Sequence, residues 1–252
     1  MGEQSATSNI LGGRVAVVFG ATGWIGRAIC RDLLKAGASV VMVGRGADRL
    51  DALQRELGGG DRLLWTIADV TSQLEVDDAR AAAITRFGHI DLLVVSSGVI
   101  TGSAFSDGVP ADWAEMIDVN LRGLLHASQT FAAPLLESAD RGLSADIVLI
   151  GAVSTDVRAP RFAVFNALSA AIKQLARALR HEYGPHGMRV HIVEPGFAVD
   201  KTDQHQPGHD EQNARAVSAV TPDAIAAVVT LAAALPATAN LAEVLLLPTE
   251  TA

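Results

Sequence analysis

Three glycines, Gly20, Gly23 and Gly26, recur at three-residue intervals in the segment GATGWIG. The apolar run Val15–Phe19 leads directly into them, and a helical pattern follows at once. A phosphate group needs close backbone approach, unobstructed N–H donors and the positive end of a helix dipole. Glycines in a strand-to-helix turn supply the first two, and the helix start supplies the third. Glycine triplets occur in many turns. The order strand, turn, helix within the first forty residues is the stronger signal, and it points to a dinucleotide site built from Gly20, Thr22, Gly23, Trp24, Ile25 and Gly26. A second apolar run ends in Val43-Gly44-Arg45. Where an Asp or Glu would hold ribose hydroxyls, Arg45 offers a planar cation suited to a 2′-phosphate; the competing role is a solvated loop arginine. A third run ends in Ala68-Asp69-Val70. Asp69 either receives an adenine amino group or caps the helix that begins at Thr71–Ser72.

These groups need a frame. Short runs rich in Val, Ile and Leu predict strands at Val15–Phe19, Ser39–Val43, Leu63–Ile67, Leu92–Val95, Asp146–Ile150, Arg189–Val193 and Glu243–Leu247. Three- and four-residue apolar spacing predicts helices at Ile25–Lys35, Asp48–Leu57, Gln73–Phe87, Trp113–Leu136, Asn166–Tyr183 and Pro222–Leu235. Continuously apolar strands indicate a sheet buried on both faces. Strand–helix–strand alternation specifies the α/β class, here one Rossmann-type domain with a doubly wound parallel β-sheet flanked by helices. Residues 1–12 are polar and read as a flexible arm before a domain spanning 13–252. Residues 200–213, DKTDQHQPGHDEQN, read as a polar loop over the substrate side. His205 and His209, with Asp203 and Asp210, have the residue types of metal ligands. No helix fixes their spacing, so a solvated loop is the expectation and no metal is assigned.

Composition narrows the partners. The chain has 252 residues, 49% of them hydrophobic, which excludes a disordered protein; Cys30 is the single cysteine, which excludes a disulfide scaffold. The net charge of −8 without a basic cluster argues against nucleic-acid or anionic-membrane binding. No apolar stretch reaches the ~18–20 residues of a membrane span. The start MGEQSATSNI lacks the basic and apolar regions of a secretory leader, and Ala6 stands where myristoylation wants Ser or Thr. A cytoplasmic protein acting on a small molecule is expected.

Taken with the glycine turn, Asp69-Val70, Asp118-Val119-Asn120-Leu121 and Val193-Glu194-Pro195-Gly196 resemble the short-chain dehydrogenase/reductases, from about Arg14 to the C-terminus. The glycine spacing is that of the extended members. The ending Ala242-Glu243-Val244-Leu245-Leu246-Leu247-Pro248-Thr249 looks like that of the NADP-dependent hydroxy-acid dehydrogenases. The resemblance implies NADP(H) as cofactor, with Ser97, Gly98, Ser169, Pro195 and Gly196 joining the cofactor site. It also implies a homodimer or homotetramer paired through the Ala- and Leu-rich helix over Asn166–Leu179 and the helix before it.

The resemblance further implies a carbonyl-reducing triad: Ser, then Tyr thirteen residues on, then Lys four later. Aligned without a gap, those positions fall on Ala152, Phe165 and Ser169. None of the three can donate a proton, stabilise an oxyanion with charge, or depress a neighbour's pKa in the expected way. The only tyrosine, Tyr183, lies more than four helical turns beyond Phe165 and reads as a packing residue. Asn120 keeps the family's fourth active-site position. The usual Asn-Asn-Ala-Gly is replaced by Ser96-Ser97-Gly98-Val99, and the Thr after the Pro-Gly turn by Asp200, with Thr202 nearby. Three expectations follow. One is an NADPH-dependent reductase of a quinone or conjugated enone. Another is a non-redox enzyme (cyclase, dehydratase or isomerase) using Ser154, Asp156, Arg158 or Lys173. The last is an inactive, scaffold-like pseudoenzyme.

Overall fold

The computed structural model describes residues 9–58, 60–152, 161–196 and 220–249. Seven parallel strands form one sheet in the order β3-β2-β1-β4-β5-β6-β7. They are β1 (Val15–Phe19), β2 (Ser39–Gly44), β3 (Leu63–Ile67), β4 (Leu92–Val95), β5 (Ala145–Ile150), β6 (Met188–Pro195) and β7 (Glu243–Leu246). The helices are α1 (Trp24–Lys35), α2 (Ala47–Leu57), α3 (Gln73–Phe87), α4 (Pro110–Met116), α5 (Leu124–Asp140), α6 (Ala163–Tyr183) and α7 (Pro222–Ala234). This is the doubly wound α/β architecture that the apolar pattern implies.

All of β1 is buried, and its side chains alternate between two cores. Ala16 and Val18 join Ile29, Leu33 and Leu50 with Val229 of α7. Val17 and Phe19 face the other way, toward Phe131 and Leu135 of α5 and Ile172 and Ala176 of α6. The Phe19 and Phe131 rings meet edge to face, 5.7 Å between centroids. Continuous apolarity therefore reflects two covered faces and not a lack of pattern.

Register places the functional end. Phe19 pairs with Val43 on one side and Val95 on the other, so the turns after β1, β2 and β4 emerge together. Between β1 and β4 the strand order reverses, which opens the crevice where ligands sit in such sheets.

Two expectations change. The predicted helix Trp113–Leu136 is interrupted by a π-helical stretch, Ile117–Gly123, between α4 and α5. Residues 9–12, assigned to a loose arm, are tied down: Leu11 is buried in the core and its N–H donates to the Ala36 carbonyl at 2.8 Å.

Beneath the sheet, at the opposite end from the crevice, lies a buried charge network. Asp146 of β5 accepts from Arg14 at 2.6 Å and from Arg189 at 2.6 and 2.9 Å, with His191 Nε2 at 2.9 Å. Burial opposes the Asp146 charge, but the bonds from His191 and Arg189 and the charge of Arg14 outweigh it and hold the carboxyl below its usual pKa. Arg14 also bonds Asp91 at 2.7 Å, so one network joins β1, β5 and β6 to the start of β4. Among the described residues, no helix is long and apolar enough to cross a membrane.

Candidate cofactor and active site

Each glycine of the turn has its own physical reason. Gly20 has φ +75°, and a Cβ there would lie 2.6 Å from the Ser97 nitrogen. At Gly26 a Cβ would lie 2.2 Å from the Gly20 carbonyl oxygen, so only glycine lets α1 start this close to β1. Gly23 is the N-cap; its N–H donates to the Gly20 carbonyl at 3.0 Å, and a Cβ there would meet only that oxygen, at 3.3 Å. No side chain caps α1, and its first turn carries no acid. The leading N–H groups, from Trp24 onward, are therefore left for an anion. Beside them, the Ser96 and Ser97 hydroxyls are buried without a hydrogen-bond partner in the described structure. Unpaired buried donors next to an uncapped helix start fit a phosphate- and hydroxyl-bearing ligand.

At the neighbouring strand ends, Ala68 N–H donates to the Gly44 carbonyl at 3.0 Å, which brings Arg45 and Asp69 to one rim. Arg45 is exposed. Asp69 is not the helix cap: Ser72 caps α3, accepting from Glu75 N–H. Asp69 instead accepts from the Thr71 N–H at 2.9 Å and the Thr71 hydroxyl at 2.7 Å. Partial burial works against its charge, yet those two bonds and the positive charge of Arg45 bring its pKa below the ordinary value. Val70 is pinned as well; a Cβ on Gly123 would strike its side chain at 2.5 Å. On the far side of the crevice, Pro195 ends β6 and Gly196 N–H donates to the Leu246 carbonyl at 2.7 Å. A Cβ on Gly196 would press on Leu246 O, Leu247 and Pro248 at 3.2–3.3 Å.

Among the described residues, those at the expected reaction centre are apolar or already hydrogen-bonded. Asn120 sits in the π-helical stretch, buried, with both amide atoms on Val99: it accepts from Val99 N–H at 2.7 Å and donates to Val99 O at 2.8 Å. A Cβ on Gly98 would approach the Asn120 oxygen at 3.4 Å, so glycine suits this contact. Asn120 thus fastens the segment after β4. Phe165 lies in the first turn of α6, and Ala152 follows β5. Ser169, expected to touch the cofactor, is 3% exposed and donates its hydroxyl back to the Phe165 carbonyl at 3.0 Å. That bond uses its single proton within the helix.

Lys173 is not a free pocket base. Its ammonium meets buried Glu194 at 2.7 Å and Glu243 at 3.8 Å, tying α6 to β6 and β7. Sequence reading did not pair it with Glu194, since the two come from elements 21 residues apart. Tyr183 is partly buried and packs against the core. Burial, then the charge of Glu182, raises its pKa. Ser154, Asp156, Arg158, Asp200, Thr202, Asp203, His205, His209 and Asp210 lie outside the described residues. Among the described residues, no group of three or more His, Cys, Asp or Glu is arranged to hold a metal ion.

Known proteins share the family and the fold. Residues 14–213 match the short chain dehydrogenase family. An uncharacterised oxidoreductase of Staphylococcus epidermidis is 36% identical over 184 residues, covering 73% of this chain and 77% of the relative. Among solved structures, the closed form of a serine dehydrogenase complexed with NADP+ superposes with TM-score 0.85 at 26% identity, covering 94% of this chain and 96% of that one. A metagenomic short-chain oxidoreductase in complex with NADP superposes with TM-score 0.78 at 28% identity, covering 96% and 99%. The chain belongs to the short-chain dehydrogenase/reductase family of oxidoreductases.

Proposed function

We propose that this protein is an NADP(H)-dependent reductase of activated carbonyl compounds, quinones or conjugated enones, working without a tyrosine acid. One combination supports the reading: α1 has an uncapped, glycine-lined start, and the positions that align with the family's triad hold Ala152, Phe165 and back-bonded Ser169. The NADP complexes of two structural neighbours support the choice of cofactor. The Gly20–Gly26 turn and the first turn of α1 would hold the pyrophosphate, Arg45 the 2′-phosphate, and Asp69 with Val70 the adenine edge. Ser97, Gly98, Pro195 and Gly196 would line the nicotinamide half.

When bound, NADPH supplies a hydride. The residues around it position the acceptor and keep water from the reacting face, which is a large rate term on its own. A quinone or enone that gains hydride becomes a delocalised oxyanion, and water protonates it. A simple ketone gives a localised alkoxide and needs the missing acid. The ion pair of Lys173 with Glu194 weighs against one candidate of the non-redox alternative; its other candidates, Ser154, Asp156 and Arg158, lie outside the described residues.

NADPH titration by nicotinamide fluorescence, followed by absorbance of the reduced nicotinamide with quinone, enone and ketone panels, tests the reading. Binding with turnover confined to quinones or enones is the expected result. No binding at millimolar NADPH removes the reductase reading.

A cytoplasmic homodimer or homotetramer is part of the same proposal. Ala167, Ala170, Ala171 and Ala178 of α6 and Leu125 of α5 are exposed, more apolar surface than packing on the sheet requires. Light scattering that returned a monomer mass would refute it.

A further inference from the structure

One buried ion pair touches all three backbone segments that carry the expected reaction centre. Glu194 of β6 is 3% exposed, and its carboxylate accepts from the Lys173 ammonium of α6 at 2.7 Å. We propose that this pair is the positioning element of the centre, fixing the walls around the nicotinamide end of the cofactor. Its part in the reaction rests on the reductase reading; its contacts do not.

Each segment meets the pair separately. On α6, Phe165, Ser169 and Lys173 recur every four residues, so they lie along one face of the helix. The positions aligned with the tyrosine and the lysine of the triad thus stand two turns and one turn before the ammonium. On β6, Glu194 continues the alternation of Val190 and Ile192, which share a core with Ile172 and Ala176 of α6. Pro195 and Gly196, the far wall of the crevice, follow Glu194 directly. After β5, the Gly151 N–H donates to the Val193 carbonyl at 2.9 Å. A Cβ on Gly151 would lie 3.5 Å from the Glu194 Cγ, so the chain packs against that side chain one residue before Ala152.

Position, more than stability, is what such a pair provides. Taking two charges out of water offsets most of their attraction, and apolar residues of similar volume often stabilise a fold as well or better. A tether with less desolvation is already present: Arg177 of α6 donates to Glu243 of β7 at 2.6 and 3.0 Å near the protein surface. Lys173 lies 3.8 Å from Glu243 and 2.7 Å from Glu194, so its close partner is the buried carboxylate beside Gly151. A hydrogen-bonded ion pair has a set length and direction, which apolar packing does not impose.

Two ligands separate position from stability: NADPH, and adenosine 2′,5′-bisphosphate, which is the adenine half of the cofactor alone. Both would be titrated by calorimetry against the full chain, with Tm and quinone turnover measured on the same samples. Glu194→Gln and Lys173→Met should lower kcat about 10- to 100-fold, the scale of a misplacement of about 1 Å, with little change in quinone KM. They should weaken NADPH about threefold or more and leave the bisphosphate within about twofold. Lys173→Arg keeps a cation within reach and should recover most of the turnover lost in Lys173→Met. Glu243→Gln breaks the outer tether and should lower Tm while kcat and both affinities hold. Equal weakening of the two ligands overturns the proposal, as does a lower Tm in Glu194→Gln with kcat and both affinities unchanged. A loss in Glu243→Gln that matches Glu194→Gln overturns it too. Should a single variant fail to fold, Lys173→Met with Glu194→Leu removes both charges together, and the same pair of ligands decides. An unmodified protein that binds NADPH and turns over no quinone removes the reductase reading, while the two affinities in Glu194→Gln still decide the positioning role.

Discussion

Gly26 stands so close to Gly20 that a side-chain carbon on the first would lie 2.2 Å from the carbonyl oxygen of the second. That approach sets where α1 begins, and with it the direction in which its uncapped N–H groups point. Gly26→Ala must therefore move backbone and not merely a side chain. The expected cost is about 1–3 kcal/mol in stability, seen as a lower Tm, together with loss of NADPH affinity by fluorescence titration. Gly23→Ala is expected to be milder in stability, because a Cβ there meets a single atom at 3.3 Å.

Arg45 and Asp69 set nucleotide preference at the rim. Arg45→Ala should weaken NADPH about tenfold or more while leaving NADH affinity nearly unchanged, since only the 2′-phosphate contact is lost. Competitive titration of the two cofactors reads the ratio. Equal weakening of both would show that Arg45 touches no 2′-phosphate.

Asn120 is expected to act through structure. Asn120→Ala leaves the Val99 N–H and carbonyl without their partner and should cost about 1–3 kcal/mol in thermal or denaturant unfolding. Asn120→Asp keeps the acceptor for Val99 N–H and loses the donor to Val99 O, so its loss should be of comparable size. A variant with unchanged stability would contradict this role.

Acid should unfold the protein in part through Asp146. Its folded pKa lies below the ordinary value because His191, Arg189 and Arg14 favour the charged form over the burial penalty. A depressed carboxyl contributes stability that is complete above the unfolded pKa and is lost as pH falls through the folded one. Unfolding free energy measured from neutral pH downward should thus decline below the usual aspartate range. Asp146→Asn should lower stability at neutral pH by about 3–5 kcal/mol, as expected when one partner of a buried ion network is removed. It should also flatten the acid slope.

Much of this was legible from residue type and order. The strand at Val15–Phe19 and the helix at Gln73–Phe87 fall where the apolar spacing puts them, because burial on both faces leaves an unbroken signature. The glycine turn was legible because Gly20 needs a positive φ and Gly26 a close backbone approach, and both ask for glycine. The π-helical stretch around Asn120 was not, since helical periodicity tolerates one extra residue and the Val99 backbone that Asn120 binds lies 21 residues away. Lys173 and Ser169 looked available because sequence shows residue type and not partner. Tertiary contact supplied Glu194 to one, and the helix supplied the Phe165 carbonyl to the other.

The central claim is a reductase centre without an acid, and restoring that acid tests it most directly. The triple variant Ala152→Ser, Phe165→Tyr and Ser169→Lys would be assayed with NADPH and simple ketones beside the unmodified protein. Ketone turnover is expected to appear in the variant at about 100-fold or more above the unmodified chain, the size of a general-acid contribution, while quinone turnover changes little. Ketone reduction by the unmodified protein at the same rate as the variant would contradict an acid-free centre.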